Sequence, residues 1–108
     1  MEQYFSGKPT SKSQERGFFY EINGVTFDFI GDNGVFSKNK VDFGTDLLLK
    51  SFCADYAKKD GKIIDAGCGA GIVGTVLGRF YPESEIIMFD INERAVELSK
   101  KNVLNNRI

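Results

Sequence analysis

At 108 residues, with 42% hydrophobic content and ten Phe, the chain is one domain at most and has enough apolar side chains for a real core. Its formal net charge of -1 sets up no field that would by itself draw in nucleic acid, so any RNA contact must be local or supplied elsewhere. The longest apolar runs fall far short of the ~20 residues that span a bilayer, and Met1-Glu2-Gln3-Tyr4 is not a signal peptide. A membrane role is excluded on this reading, and the expected location is cytoplasmic.

Residues 1–17 are polar, with Gly7, Pro9 and a Ser/Lys cluster, and show no sustained periodicity, so they read as a flexible or draped arm. Phe18 to Ile22 and Val25 to Ile30 are β-branched and aromatic runs joined by Asn23-Gly24, two residues that tolerate positive φ, which predicts a β-hairpin. Gly31-Asp32-Asn33-Gly34 closes it. The stretch from Val35 through Thr45 reads as loop with embedded turns. Leu49, Phe52, Cys53 and Tyr56 recur at helical spacing, predicting an amphipathic helix over 46–58 with Thr45 as its N-cap and its apolar face on a sheet.

The second half reads as a βαβ unit. Lys62 to Asp65 and Glu85 to Asp90 are its strands, and the helix between them has Val73, Val76, Leu77 and Phe80 as an inward stripe and Pro82 as its stop. A further helix over about 93–105 has Asn92 as cap, Glu93 at the positive end of its dipole, and a Glu97-to-Lys101 pair. Ala95, Val96, Leu98 and Val103 make its apolar side. The sequence stops where a third parallel strand is expected. Together these elements predict an α/β, Rossmann-like fold, truncated after the second strand of the parallel sheet and the helix that follows, with an N-terminal β-hairpin. The expected divisions are an arm at 1–17, a hairpin and covering loop at 18–45, and the core at 46–108.

The chemistry is concentrated in Asp65-Ala66-Gly67-Cys68-Gly69-Ala70-Gly71, between strand and helix, and in Asp90, 19 positions after Gly71. Glycine is used where backbone must take left-handed conformations or approach a ligand closely. A second-strand acid about 20 residues further on is placed to accept ribose hydroxyls. Asp90 also has a simpler reading as part of the turn before the helix that Asn92 caps. The two cysteines, Cys53 and Cys68, form no C-x-x-C pair, and the sequence contains no histidine, so a zinc site is not expected and both thiols read as reduced. Cys68 fits a crowded loop as a small side chain better than it fits a nucleophile lacking a His base.

The spacing D-x-G-x-G-x-G differs from the dinucleotide fingerprint G-x-G-x-x-G, which argues against a dehydrogenase, and resembles motif I of the S-adenosylmethionine-dependent methyltransferases. The likeness narrows when Tyr4-Phe5-Ser6, Gly34-Val35-Phe36-Ser37, Asp42-Phe43-Gly44-Thr45 with Leu47-Leu48-Leu49, and Asp65-Ala66-Gly67-Cys68-Gly69 are taken in order. These resemble class I methyltransferases of the ribosomal-RNA guanine-N2 type, the small-subunit RNA methyltransferase C group. The resemblance implies an S-adenosylmethionine site formed by Phe36, Ser37, Gly44, Thr45, Asp65, Gly67, Cys68, Gly69, Gly71, Asp90, Ile91 and Asn92. Asp65 would serve the methionine ammonium and Asp90 the ribose, with Asp42 shaping the loop. Ribosomal RNA or a ribosomal subunit is the implied partner of the complete protein.

Relatives place the methyl acceptor against an Asn-Pro-Pro-aromatic motif, whereas this sequence has no Asn-Pro, and its two prolines are Pro9 and Pro82. No catalytic residue is therefore expected here. The chain reads as the cofactor-side portion of a methyltransferase, inactive alone, and its unpaired strand edges predict self-association. A protein glutamine methyltransferase portion and a non-catalytic binding module remain the alternatives.

Overall fold

The computed structural model describes residues 11–35, 39–57 and 60–108. Strands β1 (Arg16–Ile22) and β2 (Val25–Gly31) form the hairpin, with Ile22 opposite Val25. Its two turn residues have positive φ, 50° at Asn23 and 77° at Gly24, the backbone twist that lets two strands meet across so short a loop. The period-2 pattern turns Tyr20, Ile22, Phe27 and Phe29 inward, and each buried aromatic or aliphatic side chain contributes roughly 1.5–3 kcal/mol. β1 begins two residues before the predicted hairpin. The arm is draped rather than flexible over its described part: Ser13 Oγ and Gln14 N donate to the buried Asp32 carboxylate at 2.6 and 2.5 Å.

Helix α1 (Phe43–Asp55) starts three residues earlier than predicted. Its N-cap is Asp42, whose carboxylate accepts from Thr45 N at 3.2 Å and from Thr45 Oγ1 at 2.6 Å. Asp outcompetes Thr here because its carboxylate takes both bonds at once and adds negative charge at the helix start. The inward face of α1 carries the predicted Leu49, Phe52, Cys53 and Tyr56, but part of it meets a helix end rather than a sheet. Leu49 is buried, while Phe52 and Tyr56 pack on Tyr81 at the end of the next helix, with ring centroids 5.8 and 5.3 Å apart. Tyr20 Oη donates to Asp46 at 2.6 Å and ties α1 to the hairpin.

Strands β3 (Lys62–Ala66) and β4 (Glu85–Phe89) pair in parallel, Lys62 opposite Glu85, with α2 (Ile72–Phe80) crossing between them and α3 (Glu93–Asn105) following. Among the described residues the four strands make two separate two-stranded sheets. Helix α2 lies between them. Its Gly74 faces β4 so closely that a Cβ there would come within 2.1 Å of Met88 Sδ, and Phe80 meets Phe27 of the hairpin edge-on at 6.2 Å. With cover on both sides, Ile72, Gly74, Thr75, Val76 and Leu77 are all buried, more than a single apolar stripe supplies.

On α3 the buried positions are Ala95, Leu98, Ser99 and Asn102, so two polar residues share the inner face, and Val96 and Val103 are half-buried. The predicted Glu97–Lys101 pair does not form. Glu97 meets Lys100 at 3.5 Å instead, and Lys101 pairs with Glu15 of the arm. The arm's descent along α3 offers Lys101 a partner that the helix alone does not.

Candidate functional site

The turn after β3 shows why glycine recurs at every second position. Gly67, Gly69 and Gly71 have φ values of 69°, 56° and 81°, in the left-handed region where a Cβ is strained. At Gly71 space is also short, since a Cβ would stand 2.8 Å from Ser99 Oγ. At Gly67 a Cβ would meet nothing within 4 Å, so backbone conformation alone requires glycine there.

Four neighbours hold this turn. Phe89 O at the end of β4 accepts from Gly67 N at 2.8 Å and Cys68 N at 3.0 Å. Asp90 accepts from Gly69 N at 2.9 Å with one carboxylate oxygen and from Asn92 N at 2.9 Å with the other. Ser99 Oγ donates to Gly69 O at 2.9 Å, and Asn102 Nδ2 donates to Ala70 O at 2.8 Å. Asn92 caps α3 as predicted, accepting from Arg94 N and Ala95 N, and its own amide donates to Gly34 O at 2.8 Å. The end of β4 thus joins the glycine turn on one side to the turn after β2 on the other.

A cavity of about 110 Å³ lies in the mouth of the turn, lined by Thr45, Asp65, Gly67, Cys68, Gly69, Ala70, Ile72 and Val73. Small-molecule pockets run to roughly 300–1,000 Å³, so this space takes one end of a ligand. Asp65 gives it its chemistry. Its Oδ2 is buried and has no hydrogen-bond partner among the described residues. Burial pushes the Asp65 carboxyl above its ordinary range, a bond from the Gly74 backbone N–H opposes this, and the Asp90 charge adds to the rise. A buried acceptor left open normally has an explanation, and a cationic ligand group is one that would satisfy it. The α-ammonium of a methionine-type cofactor has the required charge and donors. The Cys68 thiol is likewise pushed up by burial, with a Ser99 contact opposing and the Asp65 and Asp90 charges reinforcing, which keeps it protonated and unlike an activated nucleophile.

Of the residues singled out in the sequence, Thr45, Asp65, Gly67, Cys68 and Gly69 surround one cavity. Gly71 stands behind it as the N-cap of α2, and Asp90 and Asn92 brace its β4 side. Gly44 is exposed in the first turn of α1, and Ile91 is 69% exposed beside Asp90. Phe36 and Ser37 lie outside the described residues. Sequence reasoning missed Ser99 and Asn102. Their signal was present, because Ala95, Leu98, Ser99 and Asn102 stand at i, i+3, i+4 and i+7, which puts two polar side chains on the buried stripe. It also missed Asp32, held by Ser13, Gln14 and Asn33, and Arg94, which donates to Asn33 O at 2.7 Å and Ser11 O at 2.6 Å. Among the described residues no group of three or more His, Cys, Asp or Glu could hold a metal ion, and no helix is long and apolar enough to cross a membrane.

A βαβ unit with a three-glycine turn, an acid before it and an acid after the second strand has the form of a class I methyltransferase half-site. Residues 26–108 match the methyltransferase small domain family, and the chain belongs to that family, which in general implies an S-adenosylmethionine-type cofactor. It is 43% identical over 107 residues to the uncharacterized protein YbxB of Bacillus subtilis (strain 168), covering 99% of this chain and 52% of that one. It is 37% identical over 101 residues to the ribosomal RNA small subunit methyltransferase C of Hamiltonella defensa, covering 94% of this chain and 29% of the relative. The Pseudomonas putida (strain GB-1) protein of the same name is 35% identical over 106 residues, 98% of this chain and 31% of its own length. The chain therefore spans about half the length of the first of these relatives and under a third of the other two.

Proposed function

We infer that this chain is the cofactor-binding portion of a methyltransferase that transfers a methyl group to the exocyclic amine of a guanine in ribosomal RNA. The observation that carries the reading is the unpartnered Oδ2 of Asp65 at the mouth of the glycine turn. When bound, S-adenosylmethionine supplies a methyl group on a sulfonium, and the work left to the protein is positioning and exclusion of water. Asp65 receives the methionine ammonium directly or through water. The left-handed glycines let backbone close on the cofactor, and Thr45 covers it from α1. Asp90 uses one acceptor site on each oxygen to brace the turn and, with two sites per oxygen, keeps others for the ribose hydroxyls. Ile91 and Asn92 flank the adenosine side, Gly71 supports the turn, and Gly44 adds to the cover on the methionine side; Phe36 and Ser37 are assigned to the cofactor by the family resemblance alone.

No Asn-Pro pair occurs in the sequence, so the acceptor pocket for the amine comes from outside this chain, which alone binds cofactor without turnover. Its setting is the cytoplasm and its partner the ribosomal subunit. The isolated chain self-associates through the open edges of β3 and β4. The test is transfer of labelled methyl from S-adenosylmethionine by the full-length protein. Labelling of unmodified small-subunit RNA, with none on release factors, is the expected result. Labelling of a release factor glutamine instead would move the substrate from RNA to protein.

A further inference from the structure

In an antiparallel pair every second residue turns its N–H and C=O away from the partner strand. On β2 these outward groups belong to Thr26, Asp28 and Ile30, and asparagine side chains at the end of α3 satisfy those of Asp28 and Ile30. Asn102 Oδ1 accepts from Ile30 N at 2.7 Å and its Nδ2 donates to Ile30 O at 3.0 Å. Asn106 repeats the pattern one turn later, accepting from Asp28 N at 2.9 Å and donating to Asp28 O at 3.0 Å. The repeats match in length, since four helical residues rise about 6 Å and two strand residues rise about 6.7 Å. The two amides thus stand where a neighbouring strand would. They differ in the second amide hydrogen: that of Asn102 goes to Ala70 O, inside the glycine turn, and that of Asn106 to Asn102 O at 2.8 Å, within the last turn of α3; Asn102 is also fully buried, and Asp28 O has a second donor in Asn105 Nδ2 at 2.8 Å.

We propose that Asn102 is a positioning residue of the cofactor turn, fixing the Ala70 carbonyl between left-handed Gly69 and Gly71 and locking the turn to the hairpin, whereas Asn106 only docks the hairpin. The proposal rests on the reading of residues 65–71 as a cofactor turn. Ala70 O lies between the two glycines whose φ values define the turn, so the amide that holds it restrains both neighbours. Removing Asn102 costs the hairpin both Ile30 bonds, removing Asn106 costs it the Asp28 N bond while Asn105 still serves Asp28 O, and only the first also releases the turn.

The experiment compares Asn102→Ala with Asn106→Ala in the 108-residue chain, by titration with S-adenosylhomocysteine, thermal melting and amide hydrogen exchange. Both variants lower Tm. Asn102→Ala weakens binding about tenfold or more, the scale of one lost buried hydrogen bond, and speeds exchange at Gly69 and Gly71. Asn106→Ala leaves affinity within about twofold and speeds exchange at Asp28 alone. If Asn102→Ala does not fold, Asn102→Ser, which keeps one polar group for the three partners, takes its place. Equal losses of affinity in the two variants, or none in either, overturn the proposal. Should the parent chain take up no S-adenosylhomocysteine, the cofactor reading fails. The exchange data then decide the positioning claim separately, and unchanged Gly69 and Gly71 protection in the Asn102 variant overturns it.

Discussion

Asp65 has its role through what it lacks. A carboxylate oxygen held out of water without a donor destabilises the fold, and the raised carboxyl pKa is the signature of that cost. The sign of the pH dependence follows. Because the folded value lies above the ordinary 3.8, the favourable neutral form is fully present below that value, and its contribution is lost as pH rises through the folded pKa. Asp65→Asn removes the charge while keeping the shape. The variant's Tm at neutral pH is expected to exceed that of the parent chain, with the difference shrinking as pH falls toward 4 and the parent carboxyl protonates. Binding of S-adenosylhomocysteine, whose ammonium would lose its counter-charge, weakens in the same variant. Melting curves over this pH range check the claim; a variant less stable at neutral pH would show that Asp65 is already well satisfied in the free chain.

At the scale of elements, the start of α1 is set by a single side chain. Asp42 holds both the backbone N–H and the hydroxyl of Thr45, and Thr45 lines the cavity, so the cap also orients a residue of the site. Asp42→Ala is expected to cost about 1 kcal/mol, the usual worth of a lost N-cap, measurable as a lowered denaturant midpoint with an unchanged slope. No change would mean that another group caps the helix. The hairpin, α2, α3 and both parallel strands were legible in the sequence because each has a strong local signal: Asn-Gly between alternating runs, helical apolar spacing, and Asn92 before Glu93. The α1 cap was misread because Thr45 and Asp42 are both good caps, and only the backbone path decides between them. The inner face of α3 was misread for a different reason. Spacing puts Ser99 and Asn102 on the buried stripe, but the glycine-turn carbonyls that satisfy them lie about 30 positions away in the chain, so nothing local shows that two polar side chains can be buried there.

The whole molecule is a hairpin and a parallel strand pair on opposite sides of α2, with the candidate site at the ends of β3 and β4. Ligands of open α/β sheets bind at the carboxyl ends of the strands, and here that end is lined by the glycine turn, Asp90 and Thr45. The glycines, Asp65 and Asp90 could be read from spacing alone. The four bridges that hold the turn, from Phe89, Asp90, Ser99 and Asn102, depend on tertiary packing. One face of the β3–β4 pair is open: Ile64 is 60% exposed, Ile87 37% and Phe89 52%, an apolar pattern of the kind that parallel sheets bury on both sides. A site at the edge of such a sheet can form only if the turn is held by its own neighbours. The four bridges supply that support from residues 89–102, all within this chain. The measurement that tests this most directly is calorimetric titration of the 108-residue chain with S-adenosylhomocysteine, with light scattering on the same sample. Binding of one molecule per chain, lost in Asp90→Ala, with scattering that reports more than one chain per particle, is the predicted result. A folded, monomeric chain that gives no heat on titration would contradict it.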